Sequence, residues 1–301
     1  MKLAWKEIKN SKVRFIILGS IVFLVSLLTF IISGLANGLS ADNTSLIKDL
    51  PEGYIFMSED ADEMYNMSRI DRGTEKKLLN EREDASVFSI QMGFMNDGNE
   101  KQHSVAFVTS TGSDLFNHVE AGEVILDRSF EGEGIQVGDV LTNNQFSGEF
   151  IVKGFVDQKK FSHAPVAFIN IDNYREMYRV EEMQLAFIPE GESSLEIAGL
   201  QSFTNQAFLN TIPSYSAEQM SLNMIVWFLV IISGMLFGIF FYMMNVQKIG
   251  LYGILKAIGL KTDDLFKMMW TQMLFITFIS LVLSAVISQV FNGIAGIYIL
   301  C

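Results

Sequence analysis

From Phe15 to Ala36 the chain runs for 22 residues without a charged side chain. As a helix that stretch is about 33 Å long, matching the ~30 Å hydrocarbon core of a bilayer. Two further stretches share this character: Ile225–Met244 carries no charge, and none occurs from Met268 to the final Cys301. Unpaired backbone amides are too costly in hydrocarbon, so runs of this length and texture predict spanning helices. Half of the residues are hydrophobic, yet the net charge is −12. Both can hold only if apolar and acidic residues are segregated along the chain.

Basic residues flanking spans stay in the cytoplasm. The N-terminus has Lys2, Lys6, Lys9, Lys12 and Arg14 against Glu7, and the loop after the second run has Lys248, Lys256, Lys261 and Lys267 against Asp263 and Asp264. The expected order is a cytoplasmic N-terminus (1–14), a first span (15–36), an extracellular α+β domain (37–223) and a second span (224–246). A cytoplasmic segment (247–262), a third span (263–290) and an apolar tail (291–301) follow. This is an α-helical, multi-pass protein of the cell membrane. The outer domain holds 13 basic and 31 acidic residues, a net −18, and is large enough to bury its own core. The first apolar run exceeds the ~7–15 residues of a signal-peptide core, so it is expected to remain as an anchor. The single cysteine, Cys301, leaves the outer domain without a disulfide framework, as suits a Gram-positive surface.

Within 37–223, residues 40–50 extend the first span as a helix and turn at Pro51. Six β-branched and aromatic runs, "GYIFMS", "SVFSIQMGFM", "HSVAFVTS", "GEVILD", "EFIVKGFV" and "PVAFIN", are expected to be strands. "TEKKLLNERED", "IDNYREMYRV" and "SSLEIAGLQSFTNQAFL" have helical periodicity. "EGIQVGDVL" followed by "GEFIVKGFVD" reads as a hairpin or small barrel-like insert. No GxSxG, HExxH or paired-cysteine motif occurs, and His103, His118 and His163 are far apart in sequence. The chain is therefore not expected to be an enzyme or to hold a metal. With no Walker A motif, any ATP hydrolysis would reside in a partner, and an acidic domain without a basic patch argues against nucleic acid.

The segment "QKIGLYGILKAIGLKTDDL" places Leu251, Ile254, Leu255 and Ile258 on one face of a short helix. Gly259 sits where a C-cap glycine belongs, and Thr262 before Asp263 and Asp264 reads as the N-cap of the next helix. Periodicity alone suits an interfacial helix on the inner leaflet. Gly250, Gly253 and Gly259 weaken that reading, because glycine costs about 1 kcal/mol in a helix interior and is better explained by close packing against another protein.

"KIGLYGILKAIGLKTDDL" resembles the "EIGILKAIGA" segment of FtsX-like, MacB-type ABC transporter permeases. The order of basic N-terminus, span, large outer domain and further spans agrees with that family. The resemblance implies a MacB-type (type VII) permease working as a homodimer in the lipid bilayer with a separate ABC ATPase. It makes Ile249, Gly250, Gly253, Ile254, Leu255, Lys256, Ile258 and Gly259 a coupling helix that docks into that ATPase. It also implies four spans; three are visible, so the sequence is expected to stop short of the fourth. Residues 1–39 and 221–265 are most similar to haem-exporting members of the family, which makes haem the expected cargo and not an intrinsic cofactor.

Haem is a flat amphiphile whose iron accepts Met, His, Tyr or carboxylate ligands. Under that resemblance Tyr215, Glu218, Met220 and Met224, at the junction of outer domain and second span, become candidate substrate-binding residues. Phe30 and Asn37 on the first span could form an opposing wall, while Gly34 and Gly38 form a small-xxx-small pattern suited to helix contact. Two other readings stay open: a permease for a peptide, antibiotic or lipid, and an FtsX-like scaffold transmitting motion to a cell-wall hydrolase.

Overall fold

The computed structural model describes residues 12–189 and 197–295. The expected tail from residue 296 lies outside the described residues. Packing divides the chain into two compact units, one formed by the residues up to Gly38 and from Gln219 onward, the other by Leu39–Glu218.

The first unit is helical. Helix α1 is Lys12–Lys48, whose last turns enter the second unit; α6 is Pro213–Val246, α7 Ile249–Ala257 and α8 Thr262–Ala295. Their apolar stretches Lys12–Ser40, Pro213–Met243 and Thr262–Phe291 are long and apolar enough to cross a membrane. Helix α8 turns a stripe inward at spacings of three and four: Leu265, Met268, Gln272, Ile276, Ser280, Ser284 and Ser288 are all buried. Small residues let helix backbones approach closely. Here Ser280 Oγ donates to the Gly19 carbonyl of α1 at 3.0 Å, and Phe15, Leu18 and Ile276 form a shared apolar cluster.

The second unit is built on ten strands: β1 Gly53–Ser58, β2 Ser86–Asn96, β3 Gln102–Gly112, β4 Glu123–Asp127, β5 Val140–Asn143, β6 Phe146–Val156, β7 Lys160–Phe161, β8 Ala164–Ile169, β9 Leu185–Pro189 and β10 Leu200–Thr204. Their order is β10-β1-β9-β2-β3-β8-β4-β6-β5, with β7 on β8. The β3–β8 and β4–β6 pairs are parallel and the others antiparallel. Strand β5 also bridges back to β2 at Thr142 and Asn96, so β2, β3, β8, β4, β6 and β5 close into a ring.

Alternation along the strands fills both faces. On β3, Val105 and Phe107 join a cluster with Leu126, Phe150, Val152 and Ile169, while Ala106 and Val108 join Ile55, Phe88, Ile90, Phe168 and Phe187 on the other face. The first of these clusters is covered by Phe130 of α3 (Ser129–Gly132) and by Tyr174 and Met177 of α4 (Ile171–Tyr178). The second takes in Leu46 and Ile47 at the end of α1, Leu50 just after it, Phe208 and Leu209 of α5 (Asn205–Thr211), and Tyr215.

All six expected strand runs are strands, and "TEKKLLNERED" falls on α2 (Arg72–Glu81), capped by the Asp71 carboxylate. The stretch "SSLEIAGLQSFTNQAFL" differs. Residues 200–204 form edge strand β10, and the helix starts only after Thr204, whose hydroxyl accepts from the Ala207 amide. Pairing with β1 overrides a helical pattern in which only Phe203 is buried within the strand. Strand β9 was not expected: "LAFIP" lies between β1 and β2 with both faces covered, so it lacks the alternation that marks a half-exposed strand.

Gly112 has φ +101°, and a Cβ there would lie 2.5 Å from the Ala85 carbonyl oxygen. Gly112→Ala is therefore expected to destabilise the unit by about 2 kcal/mol or more, read as a lower urea midpoint. At the β2–β3 turn, buried His103 places Nε2 3.2 Å from Asp97 and Nδ1 2.9 Å from Glu133, which also accepts from Lys101 at 2.7 Å. The hydrogen bond from His103 holds the Asp97 carboxyl below its ordinary value of 3.8, and Lys101 does the same for Glu133, ordinarily 4.5. Carboxyls depressed in the folded state add stability that is present above their unfolded values and lost as pH falls through the folded ones. The thermal midpoint is expected to fall below about pH 4, less steeply in Asp97→Asn.

Candidate functional site

A two-residue turn builds the polar site of the second unit. Phe161 pairs with Ala164, and the residues between, Ser162 and His163, have φ +48° and +63°, as a tight type I′ hairpin turn requires. The end of α1 holds this turn in place. Ser45 Oγ accepts from the Lys160 amide at 2.7 Å, and the Asn43 carbonyl accepts from the Ser162 amide at 2.8 Å. His163 is thereby carried to Glu218 near the start of α6, with Nε2 3.3 Å from the carboxylate. The same Glu218 oxygen accepts from Asn43 Nδ2 at 3.0 Å. Glu218 is 17% exposed and His163 44%, so a charged carboxylate and an accessible imidazole meet at one edge.

Tyr215 lies one helical turn before Glu218 and is buried in the apolar cluster. Lys48 Nζ sits 5.8 Å from its ring centroid and donates to Ser40 Oγ at 2.6 Å. Of the expected substrate residues, Tyr215 and Glu218 belong to this unit, while Phe30, Asn37, Met220 and Met224 belong to the other. Within their own unit Met220 and Met224 are strongly exposed, Asn37 is exposed and Phe30 half-buried. Sequence spacing missed His163, which lies 55 residues before Glu218. Its only local signal was the "FSHAP" turn between two β runs.

The second candidate region is α7 with its flanks. Gly259 has φ +99°; its amide donates to the Lys256 carbonyl at 3.0 Å and the Leu260 amide to the Leu255 carbonyl at 3.1 Å. This is a Schellman closure, which requires a left-handed residue after the helix. Helix α8 then starts at Thr262, so Lys261 takes the cap position one residue before the expected one, with Asp263 and Asp264 in the first turn. The expected apolar face divides in two. Leu255, with Tyr252 and Leu260, packs on Leu265 and Met268, whereas Ile249, Leu251, Ile254 and Ile258 are exposed. Lys256 is also exposed, and among the described residues a Cβ at Gly250, Gly253 or Gly259 would meet nothing within 4 Å beyond the local backbone. At the start of the segment, buried Lys248 places Nζ 5.0 Å from the Phe15 ring centroid.

Residues 223–299 match the FtsX-like permease C-terminal domain. The match takes in most of α6 and all of α7 and α8, so residues 223–299 have the likeness of an FtsX-like permease domain and include two of the three helices long and apolar enough to cross a membrane. The chain is 26% identical over 310 residues to the hemin transport system permease protein HrtB of Staphylococcus haemolyticus, across 97% of this chain and 86% of that one. The HrtB of Staphylococcus epidermidis is 27% identical over 298 residues, covering 95% and 84%. Among solved structures, the periplasmic region of MacB from Actinobacillus actinomycetemcomitans aligns with 9% identity and a TM-score of 0.39, covering 53% of this chain and 92% of that one.

Proposed function

We infer that this chain is the permease subunit of an ABC exporter that removes haem from the cell membrane. It is driven by a separate HrtA-like ATPase, works as a homodimer, and carries residues 39–218 on the outer side. The observation that carries the cargo is the likeness to two permeases named for hemin transport, which extends over nearly the whole chain. The chemistry of the polar edge supports it. Iron takes imidazole or carboxylate ligands, and His163 and Glu218 offer one of each. Met220, Met224, Phe30 and Asn37 are further candidate contacts to the cargo.

In this reading ATP-driven closure of the ATPases moves α7, and the rigid spans carry the movement outward, a two-state change biased by nucleotide. Two measurements test the reading. Purified chain titrated with haem is expected to give a shifted Soret band, and cells lacking their own exporter are expected to regain haem tolerance only when the chain and its ATPase are both present. A peptide, antibiotic or lipid permease would give tolerance to that compound and no Soret shift. A hydrolase-controlling scaffold would co-purify with a cell-wall enzyme and protect against nothing.

A further inference from the structure

A cavity of about 300 Å³ lies where β5 closes onto β2 and shares no lining residue with the Glu218 edge. Its wall includes Phe94 and Asn96 of β2, Gln102 of β3, and Asn143, Asn144 and Gln145 at the β5–β6 turn. No lining residue carries a charge, in a domain where acids outnumber bases 31 to 13. Side-chain amides dominate instead. An amide offers both a donor and an acceptor in one plane, which suits a ligand rich in hydroxyls and ill suits an anion such as a haem propionate.

Part of this amide set is tied down and part is free to bind. Asn143 Nδ2 donates to the Phe94 carbonyl at 2.6 Å, and its Oδ1 accepts from the Gln145 amide at 2.6 Å, so Asn143 fixes the wall. Asn96 Nδ2 donates to Asn144 Oδ1 at 3.1 Å, leaving the Asn96 oxygen and the Asn144 nitrogen to face outward demands. The Gln102 and Gln145 side chains are exposed. Phe94 is 53% exposed despite its size, and its ring offers the flat apolar surface that the C–H face of a pyranose can cover. At 300 Å³ the cavity lies at the lower end of the ~300–1,000 Å³ typical of small-molecule sites, room for one sugar unit at a time.

We propose that this cavity binds a unit of an uncharged saccharide, with Phe94 as the platform and the amides of Asn96, Gln102, Asn144 and Gln145 reading its hydroxyls. The site is independent of the cargo reading. Its test uses the full chain in micelles of a detergent without a sugar headgroup, with chitotriose as probe in saturation-transfer NMR. Transfer to the sugar ring protons is expected, reduced about fivefold or more by Phe94→Ala and by Gln145→Ala, and kept by Phe94→Tyr. Maltotriose distinguishes the sources: competition by it means that hydroxyls alone are read, as in free hexose sugars, and its failure means that the acetamido group of an amino-sugar glycan is read too. Either result upholds the site. No transfer from the wild-type chain, or transfer unchanged in both alanine variants, overturns it.

Discussion

Cells relying on a chain with Ile254→Glu are expected to lose haem export, while the purified variant binds haem as the wild-type chain does. Ile254 is 60% exposed on α7 and Ile258 73%, an apolar face left open by the described residues of its own unit. If the ATPase covers it, a carboxylate there must be buried unpaired, at a cost of several kcal/mol. Association with the ATPase then weakens by at least about a hundredfold, roughly 2.7 kcal/mol. Leu255→Glu is the contrasting variant. Leu255 packs on Leu265 and Met268, so a charge there disturbs the permease itself and lowers its thermal midpoint. Gly253→Ala gives a test with opposite signs. Apart from its own helix backbone, a Cβ at this position meets none of the described residues within 4 Å, so the helix gains about 1 kcal/mol, whereas close docking leaves the methyl no room and transport falls. Wild-type haem tolerance in both Ile254→Glu and Gly253→Ala would sink the docking role.

Loss of the Glu218 charge is expected to weaken haem binding about tenfold or more, since a charge-assisted contact contributes about 1.5–3 kcal/mol. The informative substitution is Glu218→Gln. Alanine would leave the buried Asn43 amide without the acceptor it meets at 3.0 Å, a stability cost of about 1–3 kcal/mol that could pass for a binding defect. Glutamine keeps an acceptor for Asn43 and removes only the charge. His163→Asn works in the same way, because asparagine tolerates the left-handed conformation, here φ +63°, better than alanine does. Its expected signature is a changed Soret maximum in a chain that melts like the wild type. Unaltered spectra and affinity in both variants would move the cargo away from this edge.

The legible parts of this protein are those whose signal is local. Uncharged runs predict the three long helices because bilayer thickness and backbone hydrogen bonding leave a segment of that composition no other form. Long β-branched and aromatic runs bounded by turn residues predict β2 and β3 because such side chains fit a pleated sheet. Gly259 is legible as a helix end because a left-handed residue after the last turn favours glycine. Where a strand is buried on both faces, as in β9, or paired at an edge with a polar sequence, as in β10, the local signal vanishes and the neighbours decide.

By itself, then, the amino-acid sequence determined three helices long and apolar enough to cross a membrane, the main strand runs of the domain after the first of them and the position of the segment between the last two. Only the tertiary structure decided which of its residues meet. It brought His163 to Glu218 through a hairpin turn held by Asn43 and Ser45, and closed β5 onto β2 to frame the amide-lined cavity. It also divided the apolar face of α7 into a packed side and an open one. Hydropathy and period act over a few residues and are written in the chain. Pairings across tens of residues depend on register and on the loops that close them, and these are fixed only when the whole sheet is packed.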